Sequence, residues 1–448
     1  MRPLTLDTPV PEHLPGEPDR RPASPAMTAA KILVRAPYVA IYLAVTATLW
    51  PMLLVSVLIW GWPPIITRRA HAIHTLRRIW THQPPAPGSS TLRRVWLTLT
   101  VFEKLASIPL WGLAWQLDEL LYGRDLDATP ITAPLLEISA GRSGSTQLAR
   151  YLEDDPHLVA PNLLQTMIPI LWAWRLGAAT IGRWFTEEQV RQRLLSQLNP
   201  EFIERHEADP FRTDTFDAAL YTSHLNFIAS SISPEAGTED FAFTAETPMR
   251  RVQWEEDFVA LTDRIGRKTL LFAGPAQDGR PRRLFVKGHF LGAADALARR
   301  WPDARFLTMI REPAPRLQSA VNYLRANPHD PTIGPVPWAW LGASVVDAEV
   351  RYCEQERAWF TRPDGPRRCV LRFADYVADL EQAMTKVYVE CLDEPTLPAH
   401  VPREHPPRER TNYLFNRSLA QVGIDQDALN ERLADYRAWC ARSPRPSA

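Results

Sequence analysis

The stretch from Pro134 to Glu153, PLLEISAGRSGSTQLARYLE, constrains this chain most. A short apolar run, Leu135 to Ile138, reads as a buried strand. Ala140-Gly141-Arg142-Ser143-Gly144-Ser145-Thr146 then turns, and Leu148 and Leu152 fall on one face of the helix that follows. Strand, glycine-bearing loop and helix start together make a cradle for an anion. The glycines let the backbone approach closely, the first helical N–H groups and the hydroxyls donate, and Arg142 adds a fixed cation. The plainer alternative is a strand-to-helix turn with a capping serine. The nucleotide P-loop pattern G-x-x-x-x-G-K-[ST] does not apply, because no lysine follows Gly144.

From residue 133 to the end, apolar strand-like runs alternate with helical patterns. The expected fold is therefore α/β, a P-loop-like parallel sheet flanked by helices, with ligands at the carboxyl ends of the strands. Strands are expected at Lys268–Ala273, Arg283–Lys287, Arg305–Arg311 and Arg368–Phe373, with helices over Val252–Ile265, Phe290–Arg300 and Tyr376–Cys391. Residues 155–240 read as helical, with an apolar segment from Leu163 to Leu176.

The first third has a different character. Residues 1–28 are rich in proline and charge and read as a disordered tail. Residues 29–82 form a hydrophobic membrane segment, within which Ala36 to Ile66 carries no charge at all. That run exceeds the ~20 residues needed to cross a bilayer. Tyr38, Tyr42, Trp60 and Trp62 lie towards its ends, where amphipathic aromatics favour the headgroup region. Pro51 either kinks one spanning helix or makes the apex of a re-entrant hairpin. Lys31 and Arg35 precede the run and Arg68, Arg69, Arg77 and Arg78 follow it, which favours a cytoplasmic side for the rest of the chain. After a linker at 84–91, residues 92–125 are helical and rich in Trp and Leu. Glu103 and Lys104 near the middle argue against a second span. An interfacial amphipathic helix and a helix packed on the following domain both fit.

Acid and base balance to a net charge of +0, which argues against a nucleic-acid partner. The four cysteines form no C-x-x-C pair and suit a reduced compartment, although two disulfides remain open. No metal-ligand cluster is evident; His71 and His74 have helical spacing but lack a carboxylate or cysteine partner. Lysine occurs only at positions 31, 104, 268, 287 and 386, so Lys287 at a strand end stands out.

Two later stretches extend the first. Ile310-Arg311-Glu312-Pro313 ends a strand, and Ser319 lies in the next helix, so an arginine fork and a hydroxyl can converge on one anion. Val286-Lys287-Gly288-His289 ends another strand with a mobile cation and an imidazole, whose free pKa near ~6.5 suits proton transfer.

In order and spacing these three motifs resemble those of sulfotransferases that use 3′-phosphoadenosine 5′-phosphosulfate (PAPS). Gly141-Arg142-Ser143-Gly144-Ser145-Thr146 is similar to the family's loop for the 5′-phosphosulfate. Arg311 and Ser319 are similar to its grip on the 3′-phosphate, and Lys287-Gly288-His289 to its strand-end K-x-H. Arginine in place of lysine in the first loop resembles the bacterial and carbohydrate-type branch. The resemblance implies a PAPS site formed by Gly141, Arg142, Ser143, Gly144, Ser145, Thr146, Gln147, Arg311 and Ser319, and no metal. It implies that His289 takes the proton of an acceptor hydroxyl, with Glu246 in Thr244-Ala245-Glu246-Thr247-Pro248 as the alternative base, and that Lys287 stabilises the leaving phosphate. The expectation is a membrane-associated sulfotransferase with a hydroxyl-bearing acceptor, on a lipid or a glycan. The rivals are a kinase-like phosphoryl transferase, which calls for a Walker lysine and a Mg²⁺ aspartate not found in place, and a non-catalytic nucleotide-binding membrane protein.

Overall fold

A computed structural model of the chain describes residues 3–6, 9–15, 17, 24–66, 69–81, 90–181, 183–196, 209–216, 218–219, 248–326, 337–406 and 415–441. The chain opens with helices α1 (Pro25–Ala47), α2 (Trp50–Trp60), α3 (Arg69–Thr81) and α4 (Thr91–Ala128). It continues as β1 (Leu135–Glu137), α5 (Ser145–Glu153), β2 (Leu158–Val159), α6 (Leu163–Met167), α7 (Leu171–Thr180) and α8 (Glu187–Leu195). Then come α9 (Pro248–Ala273), β3 (Arg283–Lys287), α10 (Ala294–Arg300), β4 (Arg305–Ile310), α11 (Pro313–Ala326), α12 (Trp338–Phe360) and β5 (Arg367–Arg372). After these lie α13 (Phe373–Ala378), α14 (Leu380–Thr385), a π-helical turn (Lys386–Cys391), α15 (Gln426–Arg432) and α16 (Ala434–Ala441).

The five strands form one parallel sheet in the order β2-β3-β1-β4-β5. Its inner strands are apolar and buried on both faces, as a parallel sheet covered by helices requires. Leu284, Phe285 and Val286 of β3 and Phe306 and Leu307 of β4 are buried. One face packs Leu135, Phe285 and Leu307 against Leu148, Ala149 and Leu152 of α5. The other packs Leu136, Val286 and Phe306 against Phe258, Leu261 and Ile265 of α9 and Trp359 of α12. From β1 the chain moves to one edge through β2 and β3. It then crosses to the opposite side for β4, which makes the carboxyl end of β1 a switch point.

The expected α/β sheet is present, but two elements differ from expectation. Lys268–Ala273 is the last part of α9 rather than a strand. Its Thr-Leu-Leu-Phe run continues the helical face that begins with Phe258, Leu261 and Ile265, and the Thr269 hydroxyl donates to the Ile265 carbonyl one turn back. Conversely, the edge strand β2 lies in a segment that reads as helical. Two residues are too few to carry an alternation signal. Pro169 separates α6 from α7 within the apolar segment at 163–176.

The amino-terminal helices are rooted in this α/β unit. Arg35 meets Glu103, Leu53 meets Gly112, and the Gln116 side chain donates to the Gly61 carbonyl. These contacts ascend both segments together, so α1 and α2 run in the same direction along α4. The chain therefore does not fold back at Pro51. Glu103 is matched by Arg35, which also lies over the Trp96 ring. Ile108, Trp115 and Leu126 of α4 join the core of the sheet. Beside them Asp118 and Lys268 form a fully buried pair with Nζ 2.9 Å from Oδ2. Asp118 also accepts from the first N–H groups of α7, Leu171 at 2.6 Å and Trp172 at 2.9 Å. Lys268 donates to the Pro169 carbonyl and stands over the Trp115 ring. Burial pushes Lys268 down to about 8 against the pull of Asp118.

Residues near the start of the chain lie against its end. Thr5 bridges Ile424, Leu6 N–H donates to the Gly423 carbonyl, and Glu17 pairs with buried Arg417 at 2.5 Å. Leu4 and Val10 pack with the cluster that holds Trp338, Ile424 and Tyr436.

Removing one partner of a buried ion pair leaves the other charge uncompensated. Asp118→Ala is expected to lower unfolding free energy by about 3–5 kcal/mol. The check is the midpoint of a denaturant titration, and a loss below about 1 kcal/mol would contradict this role for the pair.

Candidate active site

The carboxyl ends of β3, β1 and β4, three adjacent strands, carry the three motifs. Glu137 pairs in register with Lys287 on one side and Leu307 on the other. The loop after β1, Lys287-Gly288-His289 after β3, and Arg311 after β4 are thereby brought together although they are far apart in sequence.

The loop conformation needs its glycine. Gly144 caps α5 at φ +99°, and a Cβ there would stand 2.7 Å from the Phe373 ring. Arg142 is held at φ 64°, a costly region for a residue with a side chain. Its carbonyl accepts from Arg311 at 2.9 Å, and its Nε donates to the Ser319 hydroxyl at 3.0 Å. Tyr323 lies under the Arg142 guanidinium and Phe373 under that of Arg311. Burial, and then the charges of Arg142 and Arg316, push Arg311 below its ordinary value. Both charges acting on it are positive, a costly arrangement that an incoming anion relieves. The Ser143 hydroxyl is buried without a hydrogen-bond partner among the described residues, and Ser145 is buried at the helix start. Buried polar atoms of this kind await a ligand or a water.

Lys287 is 2% exposed. Its ammonium donates to the Thr146 hydroxyl at 3.2 Å and lies 3.7 Å from Asp214. The His289 Nδ1 lies 2.8 Å from the Ser139 carbonyl. A carbonyl can only accept, so Nδ1 carries the proton and Nε2 is the basic nitrogen. A Cβ on Gly141 would stand 3.8 Å from that Nε2, which puts the imidazole over the loop. The Gln147 side chain donates to the Tyr151 hydroxyl at 3.0 Å.

The expected residues Gly141, Arg142, Ser143, Gly144, Ser145, Thr146, Lys287, His289, Arg311 and Ser319 thus share one site, and Gln147 follows Thr146 in α5. Glu246 lies outside the described residues. Arg417 is turned inward to Glu17 and Trp338. Sequence reasoning missed Asp214 and Phe373. Asp214 lies in a stretch without periodicity, and Phe373 reaches the loop only through the pairing of β5 with β4. A cavity of about 890 Å³ lined by Trp60, Trp62 and Trp115 shares no residue with this site.

The sequence model of the sulfotransferase family matches residues 134–392, more than half of the chain. The chain belongs to the sulfotransferase family. A search of curated protein sequences found no significant match. Among solved structures, sulfotransferase STF9 from Mycobacterium avium is similar at a TM-score of 0.58 and 17% identity, covering 86% of this chain and 95% of that one. Sulfotransferase STF1 from Mycobacterium tuberculosis H37Rv is similar at 0.53 and 16%, covering 86% and 98%. At these identities the likeness concerns the fold. Residues 134–448 alone could not supply 86% of this sulfotransferase, so the shared fold extends into its amino-terminal helices.

Gly144→Ala is expected to cost about 1–3 kcal/mol, from the left-handed backbone and the overlap with Phe373. Thermal unfolding of the variant beside wild type checks this.

Proposed function

We propose that this sulfotransferase is membrane-associated and transfers the sulfuryl group of PAPS to an acceptor hydroxyl. The observation that carries the reading is the hydrogen bond from Arg142 to Ser319. It joins two anion-binding motifs 177 residues apart into one site. A donor with phosphate at both ends of one nucleotide fits such a double site. The backbone N–H groups at the start of α5, with Ser143 and Arg142, would hold the phosphosulfate end, and Arg311 with Ser319 the 3′-phosphate.

The donor supplies an activated sulfuryl group bonded to a phosphate leaving group. His289, fixed by Ser139, would take the acceptor hydroxyl's proton on Nε2 as the acceptor oxygen bonds to sulfur. Lys287, held by Thr146 and Asp214, would donate to the bridging oxygen that leaves with the phosphate. Glu246 stays the alternative base. The fixed positions of Lys287 and His289 at one strand end supply orientation in advance.

The membrane part of the proposal rests on the amino-terminal helices. Both α1 and α4 are long and apolar enough to cross a bilayer, and only 11% of the apolar window of α1 is buried. Leu33, Val34 and Leu58 are each more than three-quarters exposed, and Ile41, Val55 and Ile59 add to the same apolar surface. Patches of this extent mark contact with membrane or protein. With Lys31 and Arg35 in the first half of α1 and Arg69, Arg77 and Arg78 in α3, a bilayer surface on the cytoplasmic side fits, and a lipid-linked or glycan acceptor would be presented there.

Calorimetric titration with 3′-phosphoadenosine 5′-phosphate, beside ATP with Mg²⁺, tests the donor. Selective binding of the bisphosphate is expected. Arg142→Ala and Arg311→Ala should each weaken it roughly ten- to hundredfold, as loss of charge-assisted hydrogen bonds costs ~1.5–3 kcal/mol. Stronger binding of ATP would favour the phosphoryl-transferase reading. Flotation with liposomes tests the membrane contact. Wild type should float, and Leu58→Arg with Ile59→Arg should not.

A further inference from the structure

Glu137 ends the central strand, is 0% exposed, and has no part in the chemistry above. Along β1, Leu135 packs on the α5 face while Leu136 and Ile138 pack on the other. Alternation therefore turns Glu137 toward α5. Lys287, its register partner on β3, follows Phe285 onto the same face and reaches Thr146 of α5. The carboxyl and the ammonium thus stand side by side beneath the loop.

One oxygen of Glu137, Oε1, accepts from the hydroxyl and the N–H of Ser139. The same Ser139 holds His289 through its carbonyl and receives the Met309 N–H on its hydroxyl at 2.7 Å. The other oxygen, Oε2, is buried with no hydrogen-bond partner among the described residues. A carboxylate oxygen is costly in that position, and a protonated one much less so. Burial pushes Glu137 up to about 7, against the hydrogen bond from Ser139 and the charge of Lys287. The charged groups around it are Lys287 from β3, with Asp214 behind it, and Glu356 from α12, which pushes the same way as burial. On β4 its register partner is apolar Leu307.

We infer that Glu137 is a positioning residue whose proton links donor binding to pH. With the proton on, Asp214 alone among the described residues shares the charge of Lys287, and that charge is available to a bound phosphate. With the proton off, Glu137 and Asp214 both compete with the ligand for it. The inference rests on the donor site proposed above. An anion beside Lys287 raises the proton affinity of Glu137 further. Binding above neutrality therefore takes up a proton, and affinity falls by about tenfold per pH unit there. Below about pH 6 Glu137 is already protonated and contributes no slope.

The test is the affinity of 3′-phosphoadenosine 5′-phosphate from pH 6 to 8.5 for wild type, Glu137→Gln and His289→Gln. His289 is a second titratable side chain beside the loop, so it needs its own control. The expected result is a steep fall above pH 7 in wild type and His289→Gln, and a flattened profile in Glu137→Gln. A wild-type slope retained in Glu137→Gln overturns the inference. A second measurement needs no variant: wild-type calorimetry at pH 8 in buffers of different ionisation enthalpy should show uptake of about one proton. Zero uptake, or release, overturns it. Binding by wild type with no proton linkage defeats this inference alone, whereas failure to bind at any pH defeats the donor site itself.

Discussion

The parallel pairing of β1 with β3 on one side and β4 on the other is the constraint on which the rest depends. It forces three loops from distant parts of the chain to leave the sheet at one level. No single one of them makes a site. The loop after β1 offers N–H groups and Arg142, β3 offers Lys287 and His289, and β4 offers Arg311. Apolar side chains on both faces hold the register, since a slip by one residue would exchange the buried faces and turn Lys287 away from Thr146.

Folding this arrangement carries electrostatic costs. Arg142 lies in the left-handed region, Arg311 is half-buried beside the charges of Arg142 and Arg316, and the Ser143 hydroxyl and one Glu137 oxygen lack hydrogen-bond partners among the described residues. Such costs concentrate where a ligand is received, because binding removes them. They are offset by the surrounding core, including the helices at the start of the chain. The Asp118–Lys268 pair ties α4 to α9 and to the start of α7, and α4 in turn carries the contacts to α1 and α2.

Much of this was legible in the sequence. The strand, loop and helix at 134–153 could be read because turn residues and periodicity agree there, and Arg311 and Ser319 because a strand end and a helical offset fix their spacing. Lys287 and His289 needed only a strand to place them. What stayed hidden depends on tertiary context. Lys268 reads as the start of a strand until its buried partner Asp118 is seen. Two-residue β2 leaves no periodic trace. Asp214 reaches Lys287 from a stretch without periodicity, Phe373 reaches the loop through the pairing of β5 with β4, and the burial of Glu137 beside Lys287 follows from the pairing of β1 with β3, none of which local patterns encode. Glu246 lies outside the described residues.

The most direct test of the double anion site is a crystal structure of the protein with 3′-phosphoadenosine 5′-phosphate. The account predicts the 5′-phosphate on the Gly141–Thr146 loop within hydrogen-bond distance of Lys287, and the 3′-phosphate on Arg311 and Ser319. A nucleotide bound elsewhere, or bound by the loop with its 3′-phosphate turned away from Arg311, would contradict it.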